Sequence, residues 1–341
     1  MHILDVYETY QEGLGRVEDT LSKLIARDIP LYADTSRHLL EAGGKRMRPL
    51  VVLIAGQFGE VRETFDERLV RLGAIMELIH MATLVHDDVV DESDTRRGRP
   101  TVAQAWDEPA AVYTGDYLLS VALRELASFD DILLHKTLAR ALTEMSRGEL
   151  EQLQDLFSAQ VSMKRYLRRI RRKTALLIEM SARLGARITG AHPAVQKAVS
   201  AYAYATGMAF QLTDDILDIT GSTEQLGKPA GSDLLQGNVT LPVILDLTCG
   251  DPDLRRALYA YLEKGRQMKR EGIRADEWKA LVADELVFIL SRLKVSEAIG
   301  YSRRIVHRYV EKAYQALSHL ESDEKSEALR SIVHFVENRR F

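Results

Sequence analysis

Residues 66–92 read DERLVRLGAIMELIHMATLVHDDVVDE, an apolar run that ends in a cluster of aspartates. The apolar side chains of this run recur every three or four residues, which is the spacing of a buried face of an α-helix. The members of this repeat are Leu69, Leu72, Met76, Ile79 and Thr83. Asp66 precedes them and has the short polar side chain that commonly caps a helix N-terminus. At about 1.5 Å per residue, the helix predicted over these residues would be about 40 Å long and would cross a whole domain.

The same helical spacing continues through most of the chain. It predicts helices over residues 14–27, 49–58, 108–128, 131–157, 166–187 and 194–217, and over much of 252–338. The 8 prolines lie where a helix could start or a loop could turn, and alternating patterns typical of strands are hard to find. No linker rich in Gly, Ser or Pro divides the chain. We therefore predict an all-α fold, a single domain over residues 1–341 built as a bundle of long helices.

Composition excludes several classes of protein. The chain has 341 residues, of which 46% are hydrophobic, and this is enough to bury a sizeable core and to exclude a disordered protein. A formal net charge of −4 gives no reason to expect nucleic acid as a partner. The single cysteine, Cys249, excludes an internal disulfide and a cysteine-based zinc site. We see no signal segment and no stretch near the roughly 20 apolar residues of a membrane span, so we expect a cytoplasmic protein.

An aspartate cluster ends the long predicted helix. On a helix, Asp87 and Asp91 lie one turn apart on one face, with Asp88 adjacent around the cylinder. Like charges at this spacing repel each other, and they stand at the helix end whose dipole disfavours anions. A bound cation would relieve both costs, so the cluster indicates a metal site.

A second cluster, Asp214, Asp215 and Asp218, has the same spacing and follows an apolar helical run. The two clusters are far apart in the sequence, which suits two facing helices. Oxygen ligands without cysteine favour a hard cation such as Mg²⁺, which usually keeps some waters and binds substrate phosphates. An acidic helix end facing solvent is the commoner explanation for one cluster alone, and the repetition of the spacing favours metal binding.

Two basic runs could bind the phosphates that such a site implies. The first, GGKRMRP at 43–49, precedes a predicted helix N-terminus, where backbone N–H groups face an anion. In this run, the ammonium of Lys45 can bind a diphosphate as a point charge, and the guanidinium of Arg48 can bind it through two N–H groups. The second, TRRGRPT at 95–101, directly follows the first aspartate cluster. A solvated charge patch explains either run alone, but both flank one candidate metal site. A third basic stretch, over residues 165–173, is interpreted instead as a mostly solvated helix face.

Five motifs together resemble those of the trans-isoprenyl diphosphate synthases, also called polyprenyl synthetases. They are GGKRMRP at 43–49, ELIHMATLVHDDVVDESDTRRGRPT at 77–101, KTA at 173–175, FQLTDDILD at 210–218 and GKPAGSDLLQGNVTLP at 227–242. Their order along the chain is that of the family. The resemblance implies an all-α bundle around a central apolar cavity, and a Mg²⁺-dependent head-to-tail condensation of isopentenyl diphosphate with an allylic diphosphate.

The resemblance also implies a role for individual residues. The family's catalytic positions correspond to the six aspartates, Asp87, Asp88, Asp91, Asp214, Asp215 and Asp218, and to Lys173. Asp87, Asp91 and Asp214 would hold the metal, three Mg²⁺ ions with substrate bound. The residues implied at the allylic diphosphate, farnesyl or geranyl, are Arg96, Lys173 and Lys228. Those implied at the isopentenyl diphosphate are Lys45, Arg48, His80 and Arg97, with Thr174 and Gln211 lining the site.

Product length is addressed by the helix before the first aspartate cluster. Ala82 and Thr83 are small where family members with short products tend to place an aromatic, and Ile79 lies one turn further down. One helical turn rises about 5.4 Å, close to one extended isoprene unit, so each unblocked turn admits about one more unit. We expect an all-trans product from hexaprenyl to octaprenyl, with heptaprenyl the best single value, for the side chain of a quinone such as menaquinone.

The assembly and the exact product stay open. The chain resembles component 2 of heptaprenyl diphosphate synthases, which is active when paired with a small helical subunit, as closely as it resembles homodimeric enzymes. A geranylgeranyl or farnesyl diphosphate synthase is the alternative for product length. Asn238 stands where many short-chain members have Lys, and it is left out of the site. The apolar product is expected to be released to a membrane.

Two other enzyme classes match parts of the sequence. His86 and Asp87 resemble the metal pair of an HD-type phosphohydrolase, which leaves the second aspartate cluster and GGKRMRP unexplained. A terpene cyclase would have no use for Lys45, Arg48 and His80. Both alternatives explain fewer of the five motifs.

Overall fold

Helices make up most of the structure. The computed structural model describes residues 2–26, 29–60, 66–222 and 230–338, with the side chains of all of them except residues 275 and 276. The helices are α1 (Ile3–Thr9), α2 (Gln11–Ile25), α3 (Pro30–Glu41), α4 (Met47–Gly56), α5 (Glu67–Val90), α6 (Val102–Ala105), α7 (Glu108–Leu126), α8 (Ile132–Asp155), α9 (Met163–Ile170), α10 (Leu176–Ile188), α11 (Pro193–Thr220), α12 (Ser232–Leu235), α13 (Leu241–Cys249), α14 (Pro252–Glu271), α15 (Ala275–Leu281), α16 (Ala283–Lys294), α17 (Glu297–Leu317) and α18 (Glu324–Glu337). The predicted all-α fold is confirmed.

Two short elements interrupt this helical pattern. Strands β1 (Thr95–Arg96) and β2 (Arg99–Pro100) form an antiparallel hairpin, in which Arg96 pairs with Arg99. A single π-helical turn over Arg171–Ala175 joins α9 to α10. Both elements carry residues of the motifs that the sequence analysis singled out.

Helix α5 has the predicted capping residue. Its 24 residues extend about 36 Å at about 1.5 Å per residue. At its start, the Asp66 side chain accepts the backbone N–H of Arg68 at 2.9 Å. At its end, the N–H of Asp91 donates to the carbonyl of Asp87 at 2.8 Å. The aspartate cluster therefore lies at the C-terminal end of α5, as the sequence indicated.

Helix α5 is buried on nearly all sides, although the sequence predicted one buried face. It packs against α2, α4 and α7, and every residue from 72 to 79 is buried. An 18-residue window of α5 has a mean hydropathy of 1.4, which is sufficient by length and composition to cross a membrane, and 72% of that window is buried inside the protein. The expectation that no stretch approaches the apolar length of a span is therefore wrong. The surrounding helices explain this composition, because a helix enclosed by protein has no polar face.

Two compact units divide the chain. Unit 1 comprises residues 1–141, 177–203 and 314–334, and unit 2 comprises residues 142–176, 204–313 and 335–341. Unit 1 contains α5 with the first aspartate cluster at its C-terminal end, and it also contains the two basic runs. The single domain over residues 1–341, with its central apolar cavity, stays a prediction.

The core of unit 2 supports the second aspartate cluster. Helices α13, α14 and α16 pack together. The Trp278 ring lies 5.6 Å from the Phe157 ring and 5.4 Å from the Tyr261 ring, measured between centroids. Leu212 and Ile216 of α11 belong to the same buried cluster. Because these apolar residues alternate with Asp214, Asp215 and Asp218 along α11, burial of the helix fixes where the aspartates lie.

Candidate active site

The turn between α3 and α4 carries the first basic run and has an unusual backbone. Gly43, Gly44 and Arg46 have φ angles of 73°, 145° and 44°, in the left-handed region that favours glycine. A Cβ atom added at Gly44 would overlap the guanidinium of Arg97. Glycine at this position therefore lets the second basic run approach the first.

Arg46 is the most heavily bonded residue of this turn. It is 8% exposed, and its guanidinium forms ion pairs with Glu18 on α2 and, at 3.0 Å, with Glu77 on α5. It also donates to the carbonyls of Leu40 at 3.1 Å and Gly43 at 3.3 Å. The sequence analysis gave Arg46 no role, although it lies between the two predicted ligands Lys45 and Arg48.

Arg48, His80 and Arg97 lie near enough to one another for the two guanidinium groups to affect the ionisation of their neighbours. Burial lowers the pKa of Arg48 to about 10. The nearby charge of Arg97 lowers this pKa further, whereas the carboxylate of Glu77 raises it. Burial, and then the guanidinium groups of Arg48 and Arg97, hold the pKa of His80 well below its ordinary value. His80 is thus a neutral imidazole among cations at neutral pH. Lys45 is exposed, and its backbone carbonyl accepts the hydroxyl of Tyr7.

The hairpin β1–β2 presents the second basic run. Its two turn residues, Arg97 and Gly98, have φ angles of 53° and 76°, as the type I′ turn of a tight hairpin requires. Arg96 on β1 donates from Nε at 2.7 Å and from Nη2 at 2.6 Å to Oδ1 of Asp88. Asp88 is 2% exposed, and burial raises its pKa against the opposing effect of Arg96.

A small cavity of unit 1 lies between these groups. The residues that line it are His38, Leu39, Ala42, Arg46, Glu77, Met81, Leu84, Asp88, Arg96, Arg97, Pro100 and Thr101. Its walls come from α3, α5, the turn before α4 and the hairpin. Charged side chains of both signs therefore meet in one place beside the first aspartate cluster.

The first aspartate cluster fits hydrated Mg²⁺. Asp87, Asp88 and Asp91 offer oxygen donors, and Oδ2 of Asp88 is buried without a hydrogen-bond partner among the described residues. Within the same residues, no group of three or more His, Cys, Asp or Glu side chains is arranged to hold an ion alone. The carboxylates thus suit a cation that keeps some water ligands and takes further oxygen ligands from a phosphate. They do not suit a cation that is ligated by protein groups alone.

The second aspartate cluster is held by hydrogen bonds within unit 2. Asp215 accepts from the Tyr166 hydroxyl at 2.5 Å and from Nε2 of Gln211 at 2.7 Å. Burial raises the pKa of Asp215 to about 6, and these two donors oppose the shift. Tyr166 is fully buried and was missed by the sequence analysis.

The other two aspartates of this cluster differ in their surroundings. Asp218 accepts from the Ser232 hydroxyl at 2.7 Å and from the backbone N–H of Asp233 at 3.1 Å. Asp214 is half-buried. Among the three, Asp214 therefore has the most exposed position, which is compatible with the metal-binding role that the resemblance implies.

Lys173 and Thr174 lie on the π-helical turn, a feature that is frequent at functional sites. The Thr174 hydroxyl donates to Oε1 of Gln211 at 2.6 Å, so both residues belong to the hydrogen-bond network around Asp215. Nζ of Lys173 lies 3.1 Å from Oε2 of Glu149. Thr174, Gln211 and Asp215 are thus close neighbours.

Arg169 corrects one expectation from the sequence. The basic stretch Arg165–Lys173 suggested a solvated helix face, but Arg169 is 4% exposed and donates to the carbonyl of Val239 at 2.8 Å. Its guanidinium also lies 5.6 Å from the centre of the Tyr166 ring. The carbonyl of Val239 is buried and needs a hydrogen-bond donor, which explains why the charged side chain of Arg169 lies inside the protein.

The residues predicted to control product length lie on α5. Ile79 and Ala82 are buried, at 1% and 3% exposure. Thr83 is half-buried, and its hydroxyl donates to the carbonyl of His80 at 2.8 Å. Lys228, the remaining predicted cation, lies outside the described residues, as do Arg339 and Arg340.

Comparison with known proteins assigns the family. The family model described as polyprenyl synthetase matches residues 29–275, which contain all five motifs. The chain belongs to the polyprenyl synthetase family. The predicted enzyme class, a prenyltransferase that makes polyprenyl diphosphates, is therefore confirmed, and the phosphohydrolase and terpene cyclase alternatives are wrong.

Relatives that match over the full length show which polyprenyl synthetases the chain resembles. The chain is 40% identical to heptaprenyl diphosphate synthase component 2 of Geobacillus stearothermophilus, over 100% of both chains. It is 38% identical to the protein of the same name in Bacillus subtilis, over 98% of this chain and 90% of the relative. The resemblance to the heptaprenyl component is thus confirmed across the whole length.

Solved structures of polyprenyl synthetases share the fold. The heptaprenyl diphosphate synthase of Staphylococcus aureus is 34% identical and superposes with a TM-score of 0.87, over 96% of this chain and 98% of that one. A polyprenyl synthase of Caulobacter crescentus, solved with calcium and isoprenyl diphosphate, is 29% identical with a TM-score of 0.86, over 99% and 98% of the two chains. The expected isoprenoid-synthase type of all-α fold is therefore confirmed.

Proposed function

We propose that this polyprenyl synthetase adds isopentenyl diphosphate head-to-tail to farnesyl or geranyl diphosphate and makes a long-chain all-trans polyprenyl diphosphate. The observation that carries the proposal is the convergence of Arg48, Arg97 and neutral His80 beside the first aspartate cluster. Such a cluster of cations suits a diphosphate, which carries several negative charges and many hydrogen-bond acceptors. The similarity to heptaprenyl synthases over the full chain supports the long product.

Each substrate diphosphate has its own set of cations in this proposal. Lys45, Arg48 and Arg97 bind the isopentenyl diphosphate, and His80 donates an N–H without adding charge. Arg48 keeps an Nε group that has no hydrogen-bond partner among the described residues, and it is thus available to an anion. The remaining cations, Arg96, Lys173 and Lys228, contact the allylic diphosphate.

The aspartates contribute through the metal. Asp87 and Asp91 of the first cluster, and Asp214 of the second, would hold Mg²⁺, which would supply positive charge to neutralise the departing allylic diphosphate. Asp88, Asp215 and Asp218 support these ligands, and their partly buried hydrogen bonds to Arg96, Gln211 and Ser232 keep them in place. Three ions are the number that the family resemblance implies.

The apolar surface of α5 excludes water while the allylic carbocation exists. The growing chain passes Ala82, Thr83 and Ile79, and the absence of an aromatic side chain in α5 leaves room for several isoprene units. We propose a product from hexaprenyl to octaprenyl, with heptaprenyl the main one. The product supplies a quinone side chain, in menaquinone biosynthesis or a related pathway.

The assembly is proposed from the same relatives. The chain forms a homodimer, or a heterodimer with a small helical subunit, and the name component 2 of the two relatives described above supports the heterodimer. The enzyme works in the cytoplasm and releases its apolar product to the membrane.

The metal-binding role is tested with Asp87→Ala and Asp214→Ala. Each variant should lower turnover at saturating Mg²⁺ by at least about a hundredfold, because electrostatic stabilisation of the leaving group supplies several kcal/mol. Helical content should stay unchanged, since neither side chain fills a core position. Asp94→Ala is the matched control, because Asp94 is exposed just beyond the same cluster. Near-normal turnover in both variants would show that these two aspartates do not hold a metal that the reaction needs.

A further inference from the structure

Arg46 joins four separate segments of unit 1. Its guanidinium binds Glu18 on α2, Glu77 on α5, the last turn of α3 through Leu40, and the turn itself through Gly43. A planar guanidinium with five N–H groups can satisfy all these acceptors together, whereas a lysine ammonium cannot.

The geometry points to Arg46, held by Glu18 and Glu77, as a positioning residue that shapes the turn at 43–48 for binding of isopentenyl diphosphate. This inference rests on the proposed function, since it assumes that Lys45 and Arg48 bind that diphosphate. Arg46 lies between Lys45 and Arg48 in the chain. By fixing the backbone of the turn, it therefore fixes the positions of both residues.

The backbone of this turn requires external support. Arg46 itself adopts the left-handed conformation, with a φ angle of 44°, which is unfavourable for a residue other than glycine. Such strain persists where the surrounding structure holds it in place, and functional sites are where it is common. The ion pairs and carbonyl contacts of Arg46 supply that support.

Charge distribution gives the same role to the two glutamates. The positive charge of Arg97 is repelled by that of Arg46 and by that of Arg48, so nearby anions stabilise the turn. Glu77 is 3% exposed, pairs with Arg46 through Oε1 and favours the charged form of Arg48. Glu18 is half-exposed and pairs with Arg46 from the opposite helix.

A purely electrostatic role predicts the opposite effect for the glutamates. If the glutamates acted only through their charge, removing one near a diphosphate site would strengthen binding of the diphosphate and lower the KM for isopentenyl diphosphate. In the positioning role, the same change loosens Arg46 and raises KM. Glu18→Gln separates the two, because it keeps the size of the side chain and removes its charge.

The experiment measures KM for isopentenyl diphosphate, KM for the allylic diphosphate and kcat in Arg46→Lys and Glu18→Gln. Arg46→Lys keeps the net charge and should raise KM for isopentenyl diphosphate about tenfold, or about 1.4 kcal/mol. Glu18→Gln should raise the same KM less. The allylic KM and kcat should change by less than about twofold in both variants. Arg16→Lys is the matched control, because Arg16 also joins α2 to α5, through Glu67 at 3.0 Å, and should leave all three constants unchanged.

Two outcomes overturn the positioning role: an unchanged isopentenyl KM in Arg46→Lys, or a lower one in Glu18→Gln. If Arg46→Lys does not fold, the sign of the change in Glu18→Gln decides alone. Lys45→Ala and Arg48→Ala separate this test from the proposed function, which expects both to raise the isopentenyl KM. If Lys45→Ala and Arg48→Ala leave the isopentenyl KM unchanged, the assignment of the pocket is wrong. If these two variants raise it and Arg46→Lys does not, only the positioning role is wrong.

Discussion

Arg96→Ala tests whether Arg96 stabilises the first aspartate cluster in addition to binding substrate. The variant removes both N–H groups that Oδ1 of Asp88 accepts, at 2.7 and 2.6 Å, and Oδ2 has no partner among the described residues. A carboxylate that is 2% exposed would then lose the counter-ion to which it is hydrogen-bonded. We therefore expect a loss of stability as well as a loss of allylic diphosphate binding.

The size of the stability loss follows from the burial of the pair. Removing one partner of a buried ion pair costs about 3–5 kcal/mol. The Arg96 side chain is 33% exposed, so we expect the lower limit, about 3 kcal/mol. For a chain of this size, about 2 °C of melting temperature is lost per kcal/mol, which gives a decrease of about 6 °C.

Thermal unfolding and steady-state kinetics together check this prediction. The double variant Asp88→Asn, Arg96→Ala should recover part of the melting temperature, because it removes the buried charge, but it should keep the raised allylic KM. Arg99→Ala is the control: its ion pair with Glu41 spans 3.7 Å and both side chains are about half exposed, so its loss should change the free energy of unfolding by less than about 1 kcal/mol. A melting temperature of Arg96→Ala within about 1 °C of wild type would refute the reasoning.

Three further predictions concern product length, stability against pH and the buried network of unit 2. Ala82→Phe should shorten the product to farnesyl or geranylgeranyl diphosphate while condensation continues, and an unchanged ladder of products in an active variant would mean that the chain does not pass this face. Arg187 holds the pKa of Asp131 below its ordinary value through bonds of 2.8 and 3.0 Å, so the pair stabilises the fold above about pH 4 and loses its effect as the pH falls through the lowered pKa. Arg187→Ala should therefore lower the free energy of unfolding by up to about 1 kcal/mol at pH 7, and a difference from wild type that persists at acid pH would contradict the assignment. Tyr166→Phe should cost about 2 kcal/mol in chemical denaturation, because a buried Asp215 loses a hydrogen bond to a charged group, and an unchanged denaturation midpoint would contradict this.

Local patterns in the sequence predicted most elements of the fold. The capping residue Asp66 and the long helix after it were recognised because capping and helical periodicity depend on residues a few positions apart. The same periodicity could not show that α5 is enclosed on nearly all sides. That property depends on α2, α4 and α7, which the sequence cannot place around it.

Residues whose role depends on distant partners were missed. Arg46 pairs with Glu18 and Glu77, and Arg169 donates to Val239, all far away in the sequence. Arg46 could have been noticed because it lies between two predicted ligands in a turn with two glycines. Arg169 looked like part of a solvated face because its neighbours in sequence are basic, and its buried acceptor lies on another loop.

The most direct test of the central claim is condensation by the purified chain alone. Radiolabelled isopentenyl diphosphate, farnesyl diphosphate and Mg²⁺ are incubated with the chain, and the dephosphorylated products are sized. We predict a ladder that ends between hexaprenyl and octaprenyl, with heptaprenyl strongest, which EDTA abolishes and added Mg²⁺ restores. Incorporation that appears after a small helical subunit is added would support the heterodimer over the homodimer. A ladder that stops at farnesyl or geranylgeranyl would contradict the long-chain product, and no incorporation with or without such a subunit would contradict the proposed reaction.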